Sequence, residues 1–311
     1  MRVFRDFDVV GKIKHPVLTI GTFDGVHIGH QKIIQQINAI ANEIDGESVL
    51  FTFYPHPRMV LFPDGHGLQL IQTQEEKMNK LAQVGLQNTI VYPFTKSFSR
   101  LSALEFVRDF LVNQLHVHTV VIGYDHHFGK NREGSLELLQ ELGPIYGFNV
   151  VEIPAQDIED VNVSSTKIRN AILSGDFQTA NAFLGNYFDF SGSVIKGRAI
   201  GRKIGFPTAN IQLNSDIKIV PADGVYFSIT TTPDNKKHFS LLNIGNNPTV
   251  SGNTRSIEVY LLDFTGDLYD QTLRVEIVQK IRSEKKFENV QALAEQLKKD
   301  EITARNILLN M

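Results

Sequence analysis

The stretch VLTIGTFDGVHIGH, residues 17–30, joins a run of apolar residues to two histidines that flank an isoleucine and a glycine. The apolar run is typical of a buried strand, and the isoleucines of QKIIQQINAIA, which follows, recur at helical spacing. A strand, a glycine loop and a helix in this order place free backbone N–H groups and the positive end of the helix dipole at the strand tip. The stretch therefore predicts an anion-binding loop.

The two histidines, His27 and His30, admit three interpretations. Histidines in an arbitrary loop are usually structural. A zinc site needs three or four ligands, and no further acidic residue or histidine lies at a recognisable spacing. At the end of a strand and the start of a helix, the pair is better explained as two donors to phosphate oxygens, and this is the interpretation we favour.

Strand and helix patterns alternate through the first 185 residues. Further apolar runs that predict strands lie at 48–53, 89–92, 119–123 and 149–154. Thr73 with Glu76, and Ser102 with Glu105, have the spacing of capping boxes at helix starts. Such alternation predicts a mostly parallel sheet covered on both faces, which binds its ligands at the carboxyl ends of the strands.

Beyond about residue 185 the pattern changes. Runs such as VYFSIT and IEVYLLDF alternate in hydrophobicity between turn signals such as PADG and GNNP. These runs predict an antiparallel barrel or sandwich, and the amphipathic segment 290–309 predicts a helix packed against it. We therefore place an α/β domain at residues 1–183 and a β domain with a C-terminal helix at residues 184–311.

Composition limits the function classes. A length of 311 residues suggests two domains, and a net charge of −3 provides no global basic field for nucleic acid or membranes. The absence of cysteine excludes disulfides, thiolate zinc sites and a cysteine nucleophile. The N-terminus lacks the apolar core of a signal peptide, and no run approaches 18 apolar residues. We expect a cytoplasmic protein without a membrane or nucleic-acid partner, as a monomer or weak homo-oligomer.

A second candidate phosphate site is VSSTKIRN, residues 163–170. Taken alone, its hydroxyls are best explained as a helix N-cap. The hydroxyls of residues 164–166 at a helix start, together with Lys167 and Arg169, also form a phosphate clamp. The three hydroxyl residues are Ser164, Ser165 and Thr166. Beside the histidine loop the second interpretation is preferred, since a triphosphate could lie between the two helix starts.

The segment GRAIGRKIGFPTAN, residues 197–210, is basic and rich in glycine, but it lacks the G-K-[ST] of a Walker A loop. Its composition fits a hairpin connection as well as a phosphate site. Thr208 and Asn210 offer neutral oxygen ligands suited to Mg²⁺ bound beside ATP phosphates. Glu258 lies on a strand, on the face opposite to Ile257. A lone strand glutamate is usually solvated, but a kinase acting on an alcohol needs a proton acceptor, which a carboxylate can supply.

Together these motifs resemble a known family. The histidine loop and the late S-x-T-x-x-R-like segment resemble the H-x-G-H nucleotidylyltransferases. FDGVHIGH, PHP (55–57), GYDHHFG (123–129) and SSTKIR follow the order found in the bacterial bifunctional riboflavin kinase/FMN adenylyltransferases. The resemblance continues through PTAN, DGVYF and IRSEKKF and covers nearly the whole chain. It implies a Rossmann-like nucleotidylyltransferase domain followed by a riboflavin kinase barrel.

For the first domain, the resemblance implies transfer of AMP from ATP onto FMN, giving FAD and pyrophosphate. Because the FMN phosphate is already ionised, the reaction requires positioning and charge stabilisation rather than a general base. His27 and His30 are implied as the catalytic donors. The implied ATP-binding residues are Gly21, Thr22, Phe23, His27, His30, Ser164, Ser165, Thr166 and Arg169. The implied residues near the flavin are Asp125 and Phe128.

For the second domain, the resemblance implies phosphorylation of riboflavin to FMN, and both reactions are expected to use Mg²⁺. Glu258 is implied as the catalytic base beside the ribityl hydroxyl, and Arg282 as a residue that closes over the flavin. Thr208 and Asn210 are the implied metal ligands. The implied ATP-binding residues are Gly197, Gly201, Lys203, Gly205, Pro207, Thr208 and Asn210.

The sequence departs from the family pattern at two places, and three functions other than the bifunctional one are considered. Thr22 stands where family members commonly have asparagine, and His126 and His127 interrupt the usual Asp-aromatic-basic-Phe pattern, so their roles stay open. A metal site at Asp125, His126 and His127 is disfavoured because successive residues rarely converge on one ion. The rivals are adenylylation of another phosphorylated substrate, a nucleic-acid-binding barrel and a flavin-binding regulator without turnover. The barrel segment lacks the interleaved exposed aromatics that the second would need.

Overall fold

The computed structural model describes residues 1–5, 13–62, 67–123, 126–153, 163–197, 201, 204–249 and 252–309, with the backbone alone at 246–249 and 252–254. The chain divides into two compact units, Met1–Ser165 and Thr166–Met311. The sequence placed the boundary at residue 184, whereas this division assigns the two short helices just before residue 184 to the second unit. The boundary at residue 184 stays a prediction.

The first unit is built on a parallel sheet, as predicted. Its strands are β1 (Arg2–Phe4), β2 (Pro16–Ile20), β3 (Glu47–Tyr54), β4 (Asn88–Pro93), β5 (Thr119–Gly123) and β6 (Asn149–Ile153). Their order is β1-β4-β3-β2-β5-β6, and every neighbouring pair is parallel. The central position of β2 places the loop that follows it, residues 21–27, in the middle of the sheet's carboxyl edge.

Within the residues that the structure describes, this unit has five α-helices. They are α1 (Ile28–Glu43), α2 (Pro57–Leu61), α3 (Gln74–Gln83), α4 (Ala103–Glu105) and α5 (Leu136–Tyr146). Both predicted capping boxes are confirmed, at Thr73 with Glu76 and at Ser102 with Glu105. After α4 the chain continues as a π-helix, Phe106–Val112, where a regular α-helix would be the sequence-based expectation.

The start of α1 differs from the sequence-based expectation. The helix was expected to follow His30, but it begins at Ile28, and His27 is its N-cap. The imidazole of His27 accepts a hydrogen bond from the His30 backbone N–H, which satisfies one of the free donors of the first turn. His30 therefore lies inside the helix, directly above its capping residue.

Two apolar clusters cover the two faces of the sheet. On one face, Leu18 and Phe51 pack with the segment of α4 and its π-helical continuation. On the other face, Val17 and Leu50 pack with Ile34 and other residues of α1 and α3. Alternate residues of one strand thus enter different cores, which is why β2 and β3 are continuous apolar runs.

The second unit contains a closed antiparallel barrel, which decides between the two architectures left open by the sequence. Its strands are β7 (Phe188–Ile195), β8 (Ala209–Leu213), β9 (Gly224–Thr231), β10 (Lys237–Thr249), β11 (Gly252–Leu261) and β12 (Thr272–Arg282). Their order is β10-β11-β8-β7-β12-β9. The predicted C-terminal helix is present as α8 (Val290–Leu309), and its Ala304 is buried in an apolar cluster with Val225 and Phe227.

Two helices precede the barrel strands, α6 (Ser165–Ser174) and α7 (Phe177–Leu184). Phe177 of α7 is buried against the rings of Phe188 and Tyr226. The Asn181 amide donates to the carbonyl oxygens of Ile277 and Val278, at 3.0 Å each. By these contacts α7 is part of the barrel's packing.

Candidate functional sites

The loop after β2 has a strained backbone. Phe23 and Val26 have positive φ angles of 50° and 39°, and Gly25 between them has φ of 88°. Positive φ is uncommon for residues other than glycine and persists where surrounding contacts hold it. Strain of this kind clusters at ligand sites, and here it occurs at the edge of the sheet where the sequence predicted an anion site.

Buried polar groups hold this loop in place. The Asp24 carboxylate accepts hydrogen bonds from the backbone N–H groups of Ile71 and Gln72, at 3.1 and 3.2 Å. The Ser165 hydroxyl donates to the Asp24 carbonyl at 2.9 Å. On the other side, the Thr22 carbonyl accepts from the Lys77 ammonium at 3.1 Å. The loop is therefore fixed by side chains from distant parts of the chain.

Three aromatic rings stack along the start of α1. The His27 and His30 rings are nearly parallel with centroids 3.6 Å apart, and the Phe23 ring stacks on His30 at 4.2 Å. A Cβ atom at Gly21 would lie 2.8 Å from the Phe23 ring, so glycine is required for the ring to occupy this place. The stack fixes both imidazoles without using their N–H groups.

Both histidines are held in the neutral form. Burial lowers the pKa of His27 to about 4, although the nearby Asp24 carboxylate acts in the opposite direction. Burial, and then the neighbouring His27 and Lys77, lower the pKa of His30 well below its usual range. Because Nδ1 of His27 accepts the capping hydrogen bond, the proton of this neutral ring is on Nε2, which is therefore a donor. Among the described residues, the buried Nδ1 of His30 has no hydrogen-bond partner.

A pocket of about 800 Å³ opens beside the stack. Five predicted site residues line it: Gly21, Thr22, Phe23, His30 and Phe128. Further phenylalanine rings in its wall belong to Phe53, Phe94, Phe98 and Phe106. The pocket offers flat apolar surface to a ring system, next to the two imidazoles. Asp125 lies outside the described residues.

A set of cationic side chains lines the same pocket, and the sequence analysis did not identify it. The set consists of Arg58, Arg100, Lys130 and Arg132. In the part of the chain that the structure describes, no carboxylate side chain lines the pocket. The four come from three separate segments, so no motif reveals them, although GKNR directly follows the predicted GYDHHF stretch. His126 and His127, whose roles the sequence left open, also line the pocket.

The loop that carries Lys130 and Arg132 is itself strained. Gly129, Asn131 and Arg132 all have positive φ, at 73°, 53° and 62°. A Cβ at Gly129 would lie 2.8 Å from the backbone of Ala103. The Ala103 N–H donates to the Glu133 carboxylate at 2.9 Å, which ties the loop to the start of α4. These contacts hold two cationic side chains at the pocket.

The second phosphate motif forms a helix start, as its hydroxyls indicate. Ser165 is the first residue of α6, and Thr166 and Arg169 follow in its first turns. Ser164 precedes the helix, and Ser165 contacts the histidine loop through the Asp24 carbonyl. Ser165 is therefore placed directly against the first site.

In the barrel, the predicted proton acceptor and one predicted metal ligand are in contact. The Thr208 hydroxyl donates to the Glu258 carboxylate at 3.1 Å. Asn210 and Glu258 are opposite each other in the pairing of β8 with β11. A Cβ at Gly197 would overlap the Asn210 amide, so the glycine leaves space for that side chain. The three oxygen-bearing side chains thus meet at one place, and their chemistry fits Mg²⁺.

A pocket of about 330 Å³ adjoins these residues and is lined by Gly197, Pro207, Thr208, Asn210 and the segment 264–269. Gly201 precedes the lining residue Pro207 in the chain, and its carbonyl accepts hydrogen bonds from the backbone N–H groups of Ile204 and Phe206. Gly205 has φ of 87°. Lys203 lies outside the described residues.

Arg282, the residue predicted to close over a flavin, is held by the C-terminal helix. Its guanidinium donates to the buried Asp300 carboxylate through Nε at 3.0 Å and Nη2 at 2.7 Å. Gln296 donates to the same carboxylate at 2.9 Å. The sequence analysis missed Asp300, although an aspartate within an amphipathic helix that packs on a barrel is a recognisable signal.

No group of three or more His, Cys, Asp or Glu side chains suited to a metal ion occurs among the described residues. A disfavoured metal site at 125–127 includes Asp125, which lies outside them. Across the described ranges, no helix combines the length and apolar character needed to cross a membrane.

Comparisons with known proteins cover both units. The family model of FAD synthetase matches residues 11–167, and that of riboflavin kinase matches residues 184–308. A bifunctional riboflavin kinase/FMN adenylyltransferase of Listeria monocytogenes is 38% identical over 93% of this chain and 91% of its own length. The corresponding Escherichia coli protein is 36% identical over the same shares.

A solved structure from Streptococcus pneumoniae, described as a macrolide-efflux protein, is similar over its whole length. It shares 32% identity and a TM-score of 0.88, with 98% of each chain covered. Its description differs from the functions of the two family models and the two relatives. The structural match extends through both units of the present chain.

Proposed function

Because this chain belongs to the bifunctional riboflavin kinase/FMN adenylyltransferase family, we propose that its two reactions take place at the two sites described above. The protein phosphorylates riboflavin to FMN with ATP, and it then transfers AMP from a second ATP to FMN, which gives FAD and pyrophosphate. We assign FMN adenylylation to the pocket beside the histidine stack and riboflavin phosphorylation to the site around Glu258.

The observation that carries the first assignment is the pair of neutral imidazoles beside the 800 Å³ pocket. An FMN phosphate oxygen attacks the α-phosphorus of ATP as the bond to the pyrophosphate oxygen breaks, so negative charge accumulates on the phosphates. In their neutral form, His27 through Nε2–H and the His30 ring would donate hydrogen bonds to such charge. Ser164, Ser165, Thr166 and Arg169 would hold the other ATP phosphates.

The flavin of FMN is assigned to the phenylalanine-lined part of the same pocket, where Phe128 lies. Its isoalloxazine would pack on the rings. The cationic side chains Arg58, Arg100, Lys130 and Arg132 would favour the phosphorylated flavin over riboflavin, which has no charge to offer them. As the family resemblance implies, Thr22 is assigned to ATP and Asp125 to the flavin.

In the second site, Glu258 accepts the proton of the riboflavin 5′-hydroxyl as that oxygen attacks the γ-phosphorus of ATP and ADP leaves. Thr208 orients the carboxylate by its hydrogen bond. Thr208 and Asn210 would hold Mg²⁺, which when bound neutralises part of the phosphate charge. The remaining residues assigned to ATP are Gly197, Gly201, Lys203, Gly205 and Pro207, and Arg282 is assigned to the flavin.

The proposal also places the protein in the cytoplasm, where ATP is supplied, as a monomer or weak homo-oligomer with small-molecule partners. Its net charge of −3 does not attract nucleic acid or anionic membrane surfaces, which supports a set of partners without either.

A reciprocal pair of variants tests the two assignments. With riboflavin and Mg-ATP, His30→Ala is expected to accumulate FMN, since loss of one such donor costs about 10²–10³ in rate at the adenylyl-transfer step alone. Glu258→Gln keeps its shape but loses the proton acceptor, so FMN formation is expected to fall roughly 10²–10⁴-fold. FAD formation from supplied FMN should persist in this second variant.

Because one chain carries both reactions, the reaction that is expected to persist in each variant shows that this variant is folded. Separation of riboflavin, FMN and FAD by chromatography gives the rates. The first assignment fails if His30→Ala makes FAD at the wild-type rate, and the second fails if Glu258→Gln phosphorylates riboflavin normally. Loss of both reactions in either variant would indicate a site shared by the two.

A further inference from the structure

Lys77 is a buried lysine beneath the histidine loop. It lies in the first turn of α3, and only 6% of its surface is exposed. Lysine is almost never buried to this extent unless it is paired, because removal of an ammonium from water is costly. A buried lysine at this position therefore requires a specific reason.

Two hydrogen bonds attach the Lys77 ammonium to the loop. It donates to the Thr22 carbonyl at 3.1 Å and to the Thr52 hydroxyl at 3.2 Å. The Thr52 hydroxyl in turn donates to the same Thr22 carbonyl at 3.3 Å. Thr22 adjoins Phe23, one of the positive-φ residues, and lines the pocket. Lys77 thus holds the carbonyl of Thr22 beside the strained part of the loop, and it is not itself among the residues that line the pocket.

The ammonium also acts through its charge. Its positive charge is among the causes that keep His30 neutral, after burial and His27. Burial lowers the pKa of Lys77 to about 8, while the Asp24 carboxylate opposes this effect. The titratable groups that interact with it are the Asp24 carboxylate and the neutral His30 ring. Near neutral pH most of the lysine is still protonated, so a positive charge lies under the loop in a region of low dielectric constant.

We propose that Lys77 is a positioning residue for FMN adenylylation, which fixes Thr22 and places a buried positive charge behind the histidine donors. The proposal rests on the assignment of adenylyl transfer to the histidine pocket. ATP phosphates approaching that pocket would meet neutral N–H donors in front and a fixed cation behind them. The same cation adds to the effect of burial and of His27, which together hold His30 in its neutral form.

Lys77→Met tests the charge. Methionine retains the length of the apolar stem and is buried without penalty, so we expect the variant to fold. Its kcat/KM for ATP in FMN adenylylation is expected to fall about 10²-fold, the loss typical of a displaced catalytic group. Phosphorylation of riboflavin by the same chain should not change.

Thr52→Val is the matched control. It removes the hydrogen bond from Thr52 to the Thr22 carbonyl and the one from Lys77 to the Thr52 hydroxyl, but it leaves the positive charge in place and nearly preserves the volume. If the charge is what acts, the valine variant keeps most of its adenylylation activity. Equal losses in Thr52→Val and Lys77→Met would show that the loop needs only its hydrogen bonds, and the proposed charge effect would be wrong.

The pH profile of kcat/KM gives a second readout, because it reports groups of the free enzyme. Lys77 is charged below its pKa and neutral above it, so wild-type adenylylation should decline as the pH rises through about 8. Lys77→Met should lose this decline, and the kinase reaction should not show it in either protein. A wild-type profile without the decline would overturn the proposal even if the methionine variant failed to fold.

These results are distinguishable from failure of the site assignment. If His30→Ala leaves FAD formation intact, the pocket is not the adenylylation site, whatever Lys77→Met does. If His30→Ala abolishes FAD formation and Lys77→Met has no effect, the site stands and the role of Lys77 is wrong.

Discussion

The histidine stack shows how one residue can serve both a fold and a reaction. His27 caps α1 through Nδ1, and this use of one nitrogen determines that the other nitrogen, Nε2, carries the proton. Burial then keeps the ring neutral. A solvent-exposed histidine could make the same hydrogen bonds, but it would titrate between pH 6 and 7 and change its charge with conditions.

The neutral state has a consequence for stability. His27 has a pKa of about 4 in the folded protein and about 6.5 when unfolded, so below pH 6.5 the unfolded chain binds a proton that the folded chain does not. Stability is therefore expected to fall as the pH falls from 6.5 towards 4. Between pH 7.5 and 5 the loss from His27 alone should be about 2 kcal/mol. His30 contributes in the same direction.

Urea unfolding of wild type and of His27→Gln at several pH values checks this expectation. Circular dichroism of the full chain is a suitable probe for both proteins, since it does not depend on the activity of either site. The glutamine variant has no titrating ring at this position and should lose less stability on acidification. The same pH dependence in both proteins would contradict the prediction.

Among the elements, the C-terminal helix α8 is attached to the barrel in two ways. Ala304 is buried in the apolar cluster with Val225 and Phe227, and Asp300 accepts two hydrogen bonds from Arg282 at the end of β12. Since Arg282 is a candidate flavin residue, the helix determines where its guanidinium lies. Under the proposed assignment of Arg282 to the flavin, this surface helix would shape the kinase site.

Asp300→Asn should weaken both the fold of the barrel and the kinase reaction. The asparagine retains the shape but leaves the Arg282 charge without a carboxylate, and the loss of hydrogen bonds to a charged group costs roughly 1.5–3 kcal/mol. We expect a lower thermal midpoint for the barrel and slower FMN formation, with an altered KM for riboflavin. FAD formation from supplied FMN should be unchanged.

Glu301→Gln on the same helix is the control. Glu301 pairs with Arg305, whose side chain is 43% exposed, and an exposed pair of this kind contributes less than about 1 kcal/mol. If both variants destabilised the barrel equally, the buried pair would have no special role. If Asp300→Asn left the KM for riboflavin unchanged, the effect of α8 on the flavin site would be wrong.

At the scale of the whole molecule, two units with separate cores carry two chemically different reactions. In the proposed assignment, the first reaction uses the carboxyl edge of a parallel sheet, and the second uses a barrel strand and the segment before β8. Helices α6 and α7 precede the riboflavin kinase match in sequence, yet α7 buries Phe177, Ala180 and Leu184 in the second unit.

This packing leads to a prediction about fragments. Residues 166–311 should fold and convert riboflavin to FMN with Mg-ATP without making FAD, since the histidine loop is absent. Residues 184–311 should make FMN too but be less stable, because loss of a buried phenylalanine alone typically costs about 3–5 kcal/mol. Thermal unfolding and chromatography of the flavins measure both properties.

Two outcomes would contradict this prediction. Equal stability of the two fragments would show that α7 adds nothing to the barrel. A folded 166–311 fragment that makes no FMN would remove the kinase reaction from the barrel, and binding of oligonucleotide with a steep salt dependence would favour the rival nucleic-acid function instead.

The amino-acid sequence by itself determined the elements and the motif positions. Periodicity along the chain predicted the parallel sheet and the C-terminal helix, and local spacing predicted both capping boxes, because these signals lie within a few residues of one another. The same local reasoning placed the histidines at a strand tip. It put the start of α1 too late, since it did not include a histidine as the capping residue.

Only the tertiary structure decided which distant residues complete the sites. Lys77 lies 55 residues from Thr22 along the chain, and Arg282 lies 18 residues from Asp300. The cationic side chains of the pocket beside the histidine stack come from three separate segments. A lysine four residues before the buried Leu81 is a visible exception to the apolar face of α3, but the sequence does not reveal its partner. Burial, charge and hydrogen bonding between such residues depend on distances in space, which spacing along the chain does not encode.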